Sequence, residues 1–386
     1  VKAGAVFDPP RLAGLSTFTA SMLDRGTHRR TAFQQAEALE SLGASLNFDS
    51  GPEAMTFSGN ALSEDLDSVL EVLADALQNP ALTTDQIGKA RDELLVRVKI
   101  SNENTAYVAA RVASEILYPA EHPYHRSSIG TESSLAAVTR EDLTAFHAAR
   151  YGPNTTILAL AGDVDPVSTL EQVRRSFLDW PRLKSPPPFD VPAPPEPVRA
   201  ERRVVRMKGK SQVDVVVALP GISRTDPDYY AAMIANFVLG GGSLSSRLMD
   251  NLRDKQGLVY GVYANMNAGI GAGPIQIRAG TNPRNADHTA EEILNQVSLI
   301  HASGPTEAEL DEAVSYLTGV FPVRLETNAG IAAQILGAEL YGLGLDYIAR
   351  YPSIIRGVTL EDTRAAARKY LRPAVHALAI AGSYSD

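Results

Sequence analysis

Two stretches of this chain repeat one another 220 residues apart, and few folds can accommodate that. Val138-Thr139 followed by Glu141-Asp142 returns as Val358-Thr359 followed by Glu361-Asp362, and Ala161-Gly162 at the end of one apolar run returns as Ala381-Gly382 at the end of another. Four identities in one register, followed by a matching strand, mark a duplication. Each copy closes with a helix, a tyrosine (Tyr151, Tyr370) and a strand. Between the copies, Pro181 to Pro197 holds eight prolines in seventeen positions. Proline lacks the N–H that a helix interior or central strand needs, so the run reads as a semi-rigid linker. The expectation is an α+β protein of two homologous domains, each a sheet covered by helices: residues 1–180, a linker at 181–200, and residues 201–386. A chain of 386 residues, 44% of them hydrophobic, can fill more than one core.

Local patterns supply candidate elements. Phe33, Ala36, Leu39 and Leu42 fall on one face of a helix over 31–42 that Gly43 closes. Residues 44–50 and 54–59 alternate as two strands around Gly51-Pro52. Leu66, Val69, Leu70, Val72, Leu73 and Leu77 form a buried helix stripe, another helix runs from about Thr84 through Arg97, and the end of 151–162 reads as a closing strand.

Composition excludes several functions. A net charge of −9 is wrong for a phosphate-binding surface, so nucleic acid is not expected as a partner. With no cysteine there are no disulfides, thiolate metal sites or cysteine nucleophiles. The longest apolar runs, 155–161 and 374–381, are too short to cross a bilayer, which points to a soluble chain without a membrane span. Of the seven histidines, 28, 122, 125, 147, 288, 301 and 376, no two stand at i and i+4, and Pro123 breaks a shared helix between His122 and His125.

Gly14 to Thr27 reads GLSTFTASMLDRGT. The order Gly14-Leu15, Phe18, Met22-Leu23 and Gly26-Thr27 resembles the signature helix of the pitrilysin/insulinase and mitochondrial-processing-peptidase (M16-type) zinc peptidases. In that family the helix carries His-x-x-Glu-His, two zinc-binding imidazoles and a general base. The corresponding positions here are Thr17, Ala20 and Ser21, and Arg97 stands where the third ligand, a glutamate, is placed. Hydroxyls do not replace imidazoles, alanine moves no proton, and a fixed positive charge opposes Zn²⁺. The resemblance thus implies a family member without the catalytic set: no cofactor in this chain, with zinc in a partner subunit. It extends over the whole chain, including the loops at His122-Pro-Tyr-His125 and Ile129-Gly-Thr-Glu132 and the strand in 151–162. It implies half of a clamshell, and places Val1 to Pro10 at the end of an early edge strand, with any leader and first strand upstream.

In the second half, Leu239-Gly240-Gly241-Gly242-Ser243 lacks the Gly-Lys-Ser/Thr of a phosphate-binding loop. It reads either as a helix C-cap and turn or, by the resemblance, as the glycine-rich loop that lies near substrate in a non-catalytic subunit. Ser245 to Tyr260 resembles the segment that supplies an arginine and a tyrosine, seven positions apart, to the peptide bound at zinc, and Arg253 and Tyr260 match. A guanidinium can grip peptide carbonyls, and a phenol can donate to a tetrahedral oxyanion. The other reading is an exposed helix arginine and a tyrosine packed in the sheet.

Losing the metal set while keeping this pair implies a chain that completes another subunit's site. The expectation is a non-catalytic subunit of a heterodimeric zinc metallopeptidase, inactive alone, which encloses unfolded peptides beside a homologous metal-binding chain. The alternative is a structural scaffold like the core subunits of the cytochrome bc1 complex. Resemblance to paired bacterial members leans towards the periplasm.

Overall fold

The computed structural model describes residues 1–195 and 199–384; Glu196, Pro197 and Val198 of the expected linker, and Ser385 and Asp386 at the end of the second expected domain, lie outside the described residues. Contacts divide the chain into one unit of Val1–Lys99 and Arg126–Phe189 and another of Ile100–His125 and Asp190–Asp386. Residues 181–195 carry no helix or strand, but residues 100–125, which precede them, fold with the second unit.

The first unit contains α1 (Leu15–Ala20), α2 (Ala32–Glu40), the hairpin β1 (Ser45–Ser50) and β2 (Met55–Asn60), α3 (Leu66–Gln78) and most of α4 (Thr84–Glu103). After α5 (Thr105–Leu117), which belongs to the other unit, come α6 (Glu132–Ala137), α7 (Arg140–Arg150) and α8 (Pro166–Ser176). The α3 stripe buries Val69, Leu70, Val72, Leu73 and Leu77 as the sequence implies, and Val69 and Val72 pack with Leu39 of α2 and Ala44. The face of α2 differs from its apolar spacing. Phe33 is 75% exposed, and the buried residues are Gln35 and Leu39. Gln35 satisfies both ends of its amide, donating to the Leu23 carbonyl at 2.9 Å and accepting from the Gly26 N–H at 3.1 Å. A polar side chain so paired loses little on burial.

The repeat is conformational as well as sequential. Thr139 and Thr359 are N-caps: each hydroxyl accepts from the backbone of the acid three residues on at 3.1 Å, and each threonine N–H donates to that acid at 3.0 Å. Gly162 and Gly382 both take positive φ, 153° and 142°, and both carbonyls accept from the N–H two residues later. The strand before Gly162 is a correction, however. Residues 156–161 join no sheet among the described residues, because the sheet of the first unit consists of β1 and β2 alone.

The second unit is built on a five-stranded sheet in the order β3-β7-β4-β6-β5, formed by β3 (Glu201–Arg206), β4 (Val213–Ile222), β5 (Val259–Met266), β6 (Gly273–Thr281) and β7 (Ala377–Gly382). Among the described residues only β3 and β7 pair in parallel. Among the described residues, α5 and six later helices complete it: α9 (Tyr229–Asn236), α10 (Ala286–Ser303), α11 (Glu307–Val323), α12 (Asn328–Leu340), α13 (Tyr347–Arg356) and α14 (Leu360–Tyr370). Central β4 is apolar on both sides because both are covered. Val213, Val215, Val217 and Leu219 face a core shared with α9, α10, α11 and α14, whereas Val216 and Ala218 face α5. Ala377, Ala379 and Ala381 of β7 give α5 a flat floor, and Asp214, buried on the same side, accepts a 2.6 Å hydrogen bond from Thr105 at the start of α5.

Candidate functional site

The helix that resembles a metal site is short and wholly buried. Gly14 leads into it with a φ of 93°, where a Cβ would stand 2.9 Å from the Cα of Gly130; only glycines allow the two segments so close. Asp8 accepts from the Gly14 and Ser16 N–H groups at 2.7 and 2.8 Å, and burial pushes its carboxyl up to about 7. The Thr17 hydroxyl donates to the Ser128 carbonyl at 2.8 Å, Ala20 is buried, and the Ser21 hydroxyl donates to the Phe18 carbonyl at 2.8 Å. Arg97 is exposed on α4, whose buried face is Ile87, Ala90, Leu94 and Val98. Gly26-Thr27, matched above as part of the signature, is an anchor: Thr27 and Arg30 both hold buried Asp75, at 2.6 and 3.1 Å. Beside α2 and β1, whose other edge is unpaired among the described residues, lies an open groove of about 310 Å³ whose lining includes Leu39, Leu46 and Phe48 and the acids Asp24 and Glu40.

In the second unit the structure brings Arg253 and Tyr260 together, with the guanidinium carbon 5.5 Å from the ring centroid. Two irregularities make this possible. Arg253 lies on a π-helical turn, Met249–Lys255, and Tyr260 on a bulge at the start of β5. Val259 pairs with Thr281 and Val262 with Ala279, so three steps on β5 match two on β6. Both valines therefore point into the core, while Tyr260 and Tyr263 point out. Tyr260 is 90% exposed, which excludes a tyrosine packed in the sheet, and Arg253 has only Asp254, at 3.9 Å, as an ionic neighbour among the described residues.

Residues 1–131 match the family described as Insulinase (Peptidase family M16), and residues 137–317 match the Peptidase M16 inactive domain. This chain belongs to peptidase family M16. An uncharacterized zinc protease of Streptomyces coelicolor is 27% identical over 99% of this chain and 83% of its own length. The non-peptidase homolog YmxG of Helicobacter pylori is 27% identical over 93% of this chain and 82% of its own. Among solved structures, the peptidase M16 inactive domain from Pseudomonas fluorescens superposes with a TM-score of 0.92 at 27% identity, covering 100% of this chain and 91% of that one.

The residues at the positions that the sequence resemblance assigns to the zinc ligands and the base do not fit zinc. Two hydroxyls are already donated to backbone carbonyls, the base position is alanine, and the fourth position is a cation. Among the described residues no three His, Cys, Asp or Glu side chains gather as a metal-holding cluster. The glycine-rich turn forms a π turn, Phe237–Gly241, rather than a simple helix C-cap, and Gly242 N–H donates to the Phe237 carbonyl at 2.8 Å. Gly240 is buried there, and a Cβ on it would meet Leu248 at 2.7 Å and the Ala264 nitrogen at 2.9 Å. Its requirement is packing beneath β5, whereas Gly241 is exposed. Sequence reasoning missed Asp8, signalled only by an acid before Pro9-Pro10, and the polar set Asn251, Gln256 and Glu292 around Arg253, which no motif marks.

Proposed function

We propose that this chain is the non-catalytic subunit of a two-chain M16 zinc peptidase. It holds unfolded peptide and presents Arg253 and Tyr260 to the zinc site of a homologous, metal-binding partner. The observation that carries this reading is the exposed Arg253–Tyr260 stack in a chain whose own metal positions do not fit zinc. A relative named as a non-peptidase homolog supports it. In such a complex the Arg253 guanidinium grips peptide carbonyls, and the Tyr260 phenol, 90% exposed, donates to the oxyanion of the tetrahedral intermediate. The outer edge of β1, beside a groove lined by apolar and acidic side chains, suits an extended basic peptide.

The test is to co-express the chain with an His-x-x-Glu-His homologue and follow cleavage of a flexible peptide by each chain alone and by the mixture. Cleavage is expected from the mixture. Tyr260→Phe is expected to lower turnover by about 10²-fold, the usual consequence of losing one oxyanion donor. Arg253→Ala is expected to raise KM as well, with assembly and the partner's zinc content unchanged in both. If both variants keep wild-type rates, a scaffold role replaces this reading.

A further inference from the structure

The turn that carries Arg253 is fastened on both sides of that residue to one acid on α10. Asn251 Nδ2 and Gln256 Nε2 each donate to Oε2 of Glu292 at 2.8 Å, and Asn295 Nδ2 donates to Oε1 at 3.0 Å. Gln256 Nε2 also reaches Asn251 Oδ1 at 3.2 Å, and Gln256 Oε1 lies 3.0 Å from His288 Nε2. The result is a ring of side-chain hydrogen bonds that brackets Arg253. Those bonds, led by Asn251, hold the Glu292 carboxyl below its ordinary range, so it is an anion at neutral pH and a strong acceptor.

A π turn is rare, mostly a single turn, and found frequently at functional sites. Backbone bonds close this one, Gln256 to Asn251 at 3.2 Å and Gly257 to Arg253 at 3.0 Å. The Arg253 side chain has little of its own to aim it, since its ionic neighbour is 3.9 Å away and half-exposed. Its direction over Tyr260 is therefore inherited from the turn. Glu292 is not needed to dock α10, which buries Ala290, Ile293, Val297 and Ile300 instead.

We propose that Glu292 is a positioning residue for Arg253: by tying Asn251 and Gln256 together it sets the turn that stands the guanidinium over Tyr260. The peptide-binding consequence rests on the function proposed above; the positioning itself does not.

Two measurements on the full chain test this. The side-chain NMR signals of Arg253, shifted by the Tyr260 ring and assigned with Arg253→Ala, report where the guanidinium is. Binding of a fluorescein-labelled, unstructured basic peptide reports the grip. Glu292→Ala, helix-compatible and outside the apolar stripe of α10, is expected to lower the melting temperature by no more than a few degrees with the fold retained, return the Arg253 signals to free-arginine values and weaken peptide binding about tenfold, the worth of one hydrogen bond to a charged group. Glu292→Gln, which still accepts, is expected to restore most of both. In an Arg253→Ala background, Glu292→Ala is expected to cost nothing further. Unchanged Arg253 signals in Glu292→Ala, or additive losses in the double variant, overturn the proposal. If Arg253→Ala leaves peptide binding intact while its signals depend on Glu292, positioning stands and the peptide-binding function falls.

Discussion

Gly240 shows how far one residue can be read in two ways. A glycine-rich turn suggests a flexible loop for substrate, yet a Cβ at Gly240 meets the backbone of Ala264 at 2.9 Å, and backbone cannot swing aside. Gly240→Ala is expected to cost roughly 1–3 kcal/mol by overpacking, seen as a lower midpoint in urea; an unchanged midpoint would mean β5 gives way freely. Asp8 carries a pH signature. Burial raises its folded-state pKa to about 7, against roughly 4 in an unfolded chain. Stability from this group is therefore complete below about pH 4 and is lost as pH rises through about 7, by a few kcal/mol at most. Asp8→Asn, neutral at every pH, is expected to flatten that slope. Melting curves of both proteins between those limits check it, and parallel pH profiles would refute it. Neither residue announces itself in the sequence, because what distinguishes each is how the fold packs it: Gly240 against the backbone of Ala264, and Asp8 buried beneath the Gly14 and Ser16 amides.

At the scale of elements, the duplicated capping boxes are the most legible feature, since their chemistry is local. Thr139→Ala and Thr359→Ala are each expected to lose about 1 kcal/mol of stability, checked by urea unfolding; a cost at one site only would mean the copies have diverged in what they hold. Hairpin β1–β2 and the α3 stripe are legible for the same reason, as alternation and helical spacing report directly on one buried side. The rest is hidden where spacing and burial part company. On α2 the apolar residues Phe33 and Ala36 face solvent while Gln35 is buried, and periodicity counts apolar side chains, not paired amides. The spacing of Arg253 and Tyr260 is visible, but their stacking depends on a π turn and a β-bulge, each of which inserts a residue into a regular repeat. Residues 156–161 have the composition of a strand and no ladder, since a strand is also defined by its neighbours.

For the molecule as a whole, the proposed lack of metal is a direct measurement. The dialysed chain is expected to retain well under one zinc per chain by mass spectrometry, because the ligand positions offer two committed hydroxyls, a methyl group and a cation; one tightly held equivalent would overturn it. The placement of α5 has a different consequence, for the order in which the chain acquires its structure. Val108, Ala109, Val112, Ala113 and Leu117 find cover on strands β4 and β7, the second of which ends at Gly382. During synthesis this helix emerges more than two hundred residues before the last strand it covers, and its greasy side must wait. Closing so long a loop is slow, and the waiting surface is the part of the chain most prone to stick to other chains. The helix from the first half that covers the sheet of the second unit thus depends on a strand made more than two hundred residues after it.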